Sequence, residues 1–260
     1  MHIRDEWIKH TEFHPHSSAE VLNEVIERAK KVLEERKLPI VVFDLDSTLF
    51  DVSKRSYEIL REWLAHPESM SFQPAREQLM GVEPADIEYS LQDVWEKKKV
   101  PHDVEPYSKH FKLARDFWKT RFFGHDYLKH DEPTEGAVEF VKRLYEMGVQ
   151  IVYLTGRDVP QMAFGTFDQL KKHGLPIDVE RTRLILKPRR RMNDIDFKGT
   201  AAKTISEWGE VVASFENEPK NLVAMSNAFG PNTMNVFIQT VSSDHAAPAG
   251  KGIYRIDRFE

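Results

Sequence analysis

Five short apolar runs recur along the chain, IVVFD, VQIVYLTG, RLILKP, VVASFE and MNVFIQT, with amphipathic helical patterns between them. A strand that is apolar at every position has no face to offer water, so it must be covered above and below. The intervening helices supply that cover. SSAEVLNEVIERAKKVLEERKLP opens with a Ser-x-x-Glu capping pattern, Ser17 to Glu20, and carries Val21, Val25, Ala29 and Val32 on one stripe. GAVEFVKRLYEMG leads into the second run and is ended by Gly148, while QMAFGTFDQLKKHG and KGTAAKTISEWG lie between later runs. The alternation predicts an α/β fold, a doubly wound, Rossmann-like parallel sheet.

One interval breaks the rhythm. About ninety residues separate the first two runs, far more than one crossover needs. Within it Tyr57, Leu60 and Leu64 share a helical face, as do Phe111, Ala114, Trp118 and Phe122. Pro67, Pro74, Pro84, Pro101 and Pro106 cut the stretch into short helices. We therefore expect a core of residues 1–51 and 131–260, with 1–16 a mobile N-terminal arm, and a helical cap subdomain, 52–130, inserted over one edge of the sheet.

Composition narrows the function classes. With 40% hydrophobic and 30% charged residues the chain suits a globular protein, and its net charge of −5 lacks the basic footprint of a general nucleic-acid binder. The absence of cysteine excludes disulfides, thiolate zinc sites and cysteine nucleophiles. MHIRDEWIKH is charged where a signal peptide would be apolar, and no stretch approaches the ~18 apolar residues of a membrane helix. The expectation is a cytoplasmic protein with no membrane partner.

Ligands of open parallel sheets bind outside the carboxyl ends of the strands. The first run delivers Asp44 and Asp46 there, and period-two geometry turns both the same way. The second delivers Thr155, Gly156, Arg157 and Asp158. The third is followed by Lys187 and then Lys198, and the fourth ends in Glu216, Asn217 and Glu218. Acids around a pocket that also holds lysine suit a divalent hard cation and an anionic substrate. A competing reading is plainer: Asp46, Ser47 or Thr48 caps a following helix.

These segments, DLDST, YLTGRD, FK at Lys198 and FENEPKN, resemble in order the four motifs of the haloacid dehalogenase superfamily of aspartyl-nucleophile phosphohydrolases. The similarity covers about residues 38–50 and 131–245, and the insert sits where that family places its first type of cap. FFGHDYLKHDEPTEGAVEFVKRLYEMGVQIVYLTGRD and FENEPKN also resemble an uncharacterised bacterial branch, which brings no substrate with it. The resemblance implies that Asp44 attacks phosphorus and that Asp46 protonates the leaving alcohol, its pKa raised by neighbouring carboxylates. It implies that Thr155 binds a phosphoryl oxygen and that Lys198 stabilises charge, with Gly156, Arg157 and Lys187 on the phosphate side. It further implies Mg2+ held by Asp44, the Asp46 carbonyl, Glu216 and Asn217. Two features depart from the pattern: Glu216 stands where the fourth motif usually has aspartate, and either Asn217 or Glu218 replaces its second acid. Lys198 and Lys187 compete for the catalytic lysine, and Lys198 has the more usual family placement.

The remaining features have bland readings. KPRRR, Lys187 to Arg191, reads as a solvated loop before a second phosphate or nucleic-acid contact. His10, His14 and His16 lack the spacing of a helical metal site. Phe117, Trp118, Phe122 and Phe123 read as insert core before substrate platform, and Asp244 and His245 follow the fifth run without an evident task. The leading expectation is a phosphomonoesterase acting on a small phosphorylated metabolite. The alternatives are a nucleotide or polynucleotide-end phosphatase and a non-catalytic binding protein with a degenerate site. A dehalogenase suits the residues less well, because Asp46 would have no leaving alcohol to protonate.

Overall fold

The computed structural model describes residue 1 and residues 3–260. Nine strands occur among them: β1 (Glu12–Phe13), β2 (Pro39–Phe43), β3 (Phe50–Asp51), β4 (Glu132–Pro133), β5 (Gln150–Asp158), β6 (Thr182–Lys187), β7 (Glu210–Glu216), β8 (Met234–Ile238) and β9 (Lys251–Ile256). Seven form one sheet in the order β1-β9-β8-β7-β2-β5-β6, every neighbouring pair parallel. β2 is buried along its whole length because helices cover both faces. Val41 and Phe43 pack with helices Ser18–Glu34 and Ala137–Glu146, while Ile40 and Val42 pack with Ala202, Ile205 and Met225 of the opposite layer. This is the doubly wound sheet expected from the apolar runs, with the Asp44 strand inside it.

Two strands of this sheet, β1 and β9, exceed the expectation, and both lie towards one edge. Residues 3–16, expected as part of a mobile arm, instead form a helix and a short strand at the edge of the sheet. Trp7 is fully buried, its indole N–H donating to the Pro248 carbonyl at 2.8 Å and its ring 5.0 Å from Phe237. β1 then pairs with β9, so burial of one large aromatic ties the terminal segment down. His14 stacks on Tyr254 at 4.1 Å, a packing role far from metal ligation.

The segment between β3 and β4 is helical. Its longest helices are Ser53–Ala65 and Tyr107–Phe122, with shorter ones between them. The buried face of the first is Ile59, Leu60 and Trp63, with Tyr57 and Leu64 half-buried beside it, a stripe rotated from the one read in the sequence. These residues join Phe111, Ala114 and Phe117 in a hydrophobic cluster separate from those of the sheet. β3 and β4 pair antiparallel and bring the segment's entrance and exit together. No helix among the described residues is long and apolar enough to cross a membrane.

A pH dependence follows from this second core. His110 is buried beside Trp63, Phe72 and Trp95, and neither ring nitrogen has a protein hydrogen-bond partner. Burial pushes its imidazole below the ordinary 6.5. The unfolded chain therefore takes up the proton first, and the stability held above pH 6.5 is lost as pH falls through that window. Relative to His110→Phe, the wild-type protein should lose up to about 1.4 kcal/mol per pH unit below it, measured by urea unfolding. A constant difference between the two proteins from pH 7.5 to 5 would refute the assignment.

Candidate active site

Asp44 follows the last residue of β2, its N–H donating to the Phe215 carbonyl of β7 at 3.0 Å. The chain then turns sharply. Ser47 has φ 59°, its N–H donates to Phe50 O at 2.7 Å, and the Phe50 N–H returns to Leu45 O at 2.9 Å. No helix starts at this turn; the next begins at Ser53, whose N–H is accepted by Asp51. The helix-capping reading of Asp46, Ser47 and Thr48 therefore fails.

Lys198 lies on helix Asp194–Ser206 and projects its ammonium between two buried carboxylates, 2.6 Å from Asp44 Oδ1 and 2.5 Å from Glu216 Oε2. One positive charge thus serves two negative ones. Burial, together with the Glu216 charge, pushes Asp44 up to about 7 despite Lys198. Glu216 is likewise raised by burial, with Lys198 opposing. For Lys198, the two carboxylates outweigh the burial that would discharge it. Glu216 Oε1 also accepts the Glu218 N–H at 3.0 Å, so the longer side chain is pinned at both ends.

Asp46 has the opposite environment from the one expected. Burial would raise its pKa, but the Arg157 and Arg55 charges dominate and hold the carboxyl well below the usual range. Arg157 reaches it at 2.7 Å and Arg55 at 2.6 Å. Both guanidiniums also engage Asp131, and Arg157 donates to Thr166 at 3.2 Å and to Gln169 at 2.7 Å. Gln169 returns to Asp131 Oδ2 and Leu128 O, each at 2.8 Å. Gly165 permits this closeness: a Cβ there would sit 2.5 Å from the His125 carbonyl. Arg157, expected on the phosphate side, is thus committed to Asp46 and a buried network.

Other expected residues separate into those facing the cavity and those already engaged. Thr155 and Gly156 line a cavity of about 440 Å³ with Asp44, Asp46, Lys198 and Glu216. Lys187 borders it too, but its ammonium is held by Asp194 and by the Arg190 and Met192 carbonyls, each at 3.3 Å. It fixes the 188–194 loop. Asn217 also lines the cavity, its amide oxygen accepting from Thr48 Oγ1 at 3.2 Å and its amide N–H donating to Val241 O at 2.7 Å. Glu218 accepts from the Ser243 N–H and hydroxyl, and Asp244 and His245 are exposed outside the cavity.

Arg55, Asp131 and Gln169 were not anticipated. For Arg55 a signal exists: it stands four residues before Ile59 and eight before Trp63, a charge on the buried face of its helix. Asp131 and Gln169 carry none, since their partners are distant in sequence. Arg55→Met would strand part of this buried charge, so we expect unfolding free energy to fall by about 3 kcal/mol. A loss below about 1 kcal/mol in urea titration would show that Arg157 alone suffices.

Residues 38–191 match the family model described as haloacid dehalogenase-like hydrolase. Among solved structures, a candidate phosphatase from Clostridium difficile is similar at TM-score 0.54 and 14% identity, covering 85% of this chain and 94% of that one. A HAD-superfamily hydrolase from Ehrlichia chaffeensis aligns at TM-score 0.44 and 14% identity, over 85% and 91% of the two chains. A Bacillus subtilis HAD-hydrolase structure bound to magnesium aligns at TM-score 0.45 and 11% identity, over 85% and 95%. No curated protein matches the chain.

Proposed function

The chain belongs to the haloacid dehalogenase-like hydrolases, and from that premise we propose that it is a magnesium-dependent phosphomonoesterase of small soluble metabolites, working in the cytoplasm through an aspartyl-phosphate on Asp44. The observation that carries this reading is the Lys198 ammonium bridging Asp44 and Glu216 at the carboxyl end of β2. A carboxylate beside a fixed cation, in a cavity shared with the Thr155 hydroxyl, suits attack on an anionic phosphoryl group.

The donor set fits magnesium. Two buried carboxylates share one lysine, leaving excess negative charge that a cation relieves. Among the described residues no group of three or more His, Asp or Glu side chains surrounds one point, and magnesium, which keeps its waters, needs only one or two carboxylates plus substrate phosphate. Asp44, Glu216 and the Asp46 backbone carbonyl are the residues that would hold it. When bound, magnesium supplies positive charge that offsets the charge building on the phosphoryl oxygens.

In the first step an Asp44 oxygen forms a bond to phosphorus as the bond to the alcohol oxygen breaks, and Asp46 gives that oxygen a proton. In the second, water attacks phosphorus, its proton returns to Asp46, and inorganic phosphate leaves with the Asp44 carboxylate restored. To carry a proton Asp46 must part from its arginines, and its side chain is 31% exposed, with the cavity in front of it. Arg55 rides on the inserted helical segment, so opening of that segment as a cap withdraws one of the two charges.

The test is phosphate release from an aryl phosphate. We expect turnover with Mg2+ and background release once EDTA removes it. Absence of release from aryl, sugar and nucleotide phosphates alike, with magnesium present, would favour a binding protein that has lost catalysis.

A further inference from the structure

One part of the active-site cavity wall is aromatic. Trp118 and Phe122 stack at 4.3 Å with 24° between their planes, and Phe123 meets them edge-on at 6.1 and 5.1 Å. All three line the same cavity as Asp44, and all are only half-buried. Trp118 and Phe122 also pack against the buried cluster of Phe111, Ala114 and Phe117, which backs the aromatic wall. Their orientation is fixed from behind. The Trp118 indole N–H donates to Ser56 Oγ at 3.1 Å, and the Arg55 guanidinium lies 4.4 Å from the Phe122 ring centre.

Cations frame this wall. The Arg190 guanidinium sits 4.2 Å over Phe123, on an exposed loop residue that lines the cavity, and Lys119 lines it next to Trp118. Arg190 belongs to the KPRRR run, and its loop is held by Lys187 through the Arg190 and Met192 carbonyls. A pre-set aromatic surface needs a flat partner to repay its exposure to water, and cations at its rim favour one carrying negative charge beyond the reacting phosphate.

We propose that Trp118, Phe122 and Phe123 form a base-stacking platform, and that the substrate is a nucleoside phosphate whose phosphate lies at Asp44. This rests on the phosphomonoesterase reading and specifies its alcohol: a sugar bearing a planar heterocycle. The 440 Å³ cavity is within the range that holds a ligand of nucleotide size. Arg190 and Lys119 take a second phosphate, either of a free nucleoside bisphosphate or of the next residue in a strand.

The ring is isolated by comparing adenosine 5′- and 3′-monophosphates with ribose 5-phosphate, using the magnesium-loaded protein. We expect kcat/KM for the better adenosine isomer to exceed that for ribose phosphate by about tenfold or more, the scale of one base on an aromatic side chain. Trp118→Ala should collapse that ratio towards one, and Trp118→Phe, which keeps a ring face, should restore most of it. Arg190→Ala changes an exposed side chain and serves if the tryptophan variant folds poorly. It should raise KM for adenosine 3′,5′-bisphosphate more than for the monophosphate. A short oligonucleotide with a terminal phosphate separates the two sources, since either it or the free nucleotide is preferred while ribose phosphate remains poor.

Equal kcat/KM for the adenosine phosphates and ribose phosphate would overturn the platform and leave the phosphatase reading intact. The converse failure is distinguishable with Asp44→Asn protein, where adenosine monophosphate should quench Trp118 fluorescence and ribose phosphate should not. Quenching without hydrolysis of any phosphate by the wild type would remove the phosphatase reading and keep the platform. Absence of both would overturn the platform as well.

Discussion

Asp44→Asn should reduce phosphate release by at least about a thousandfold, the scale on which covalent catalysis is lost. The side chain keeps its shape and its place beside Lys198, so the loss reports nucleophilicity rather than folding. Asp46→Asn should behave differently. It retains a nucleophile and lacks the proton donor, so its deficit should shrink on substrates with good leaving groups such as nitrophenolate. Slow hydrolysis of the intermediate should then leave covalent phosphate on Asp44, visible as an added phosphoryl mass. Near-normal turnover by Asp44→Asn would end the proposal. An Asp46→Asn protein equally impaired on every leaving group, with no trapped phosphate, would reassign that carboxylate to holding Arg55 and Arg157 in place.

Lys198→Met should have the largest effect on stability. It removes the one cation between Asp44 and Glu216 and leaves both carboxylates buried, a loss of about 3–5 kcal/mol near neutral pH. The pH trend is fixed by sign. Burial raises both carboxyls in the folded protein, so the stability linked to them is fully present below their unfolded values near 4 and is lost as pH rises through the folded values. Without Lys198 that window extends upward. The variant's deficit should therefore be largest at pH 8 and shrink towards pH 5, the reverse of the His110 trend. A deficit independent of pH would mean that packing of the lysine stem, and not its charge, is what the variant loses.

Much of the fold was legible because strands buried on both faces leave a continuous apolar signature, and β2, β5, β7 and β8 all have one, while β6, at the sheet's edge, carries a similar run though only partly buried. β1 and β9 do not: β1 is a two-residue edge strand, and β9, paired between β1 and β8, mixes exposed and buried positions. Of the site, Asp44, Thr155, Lys198 and Glu216 were nameable because strand and helix termini are local events. Where each polar group points was not. The depressed Asp46 was expected to be raised, since adjacent carboxylates are visible in DLDST whereas the two arginines reach it from nine and 111 residues away.

The sequence by itself determined five strands of the sheet, the helices between them and the candidate groups at the strand ends, because these depend on periodicity and short-range capping. Only the tertiary structure decided that Asp46 is clamped by Arg55 and Arg157, that Lys187 holds a loop while Lys198 reaches Asp44, and that Asn217 turns to Thr48. The reason is physical. A charged or amide side chain takes whichever buried partner desolvation leaves it, and that partner is chosen by packing between segments far apart in the chain.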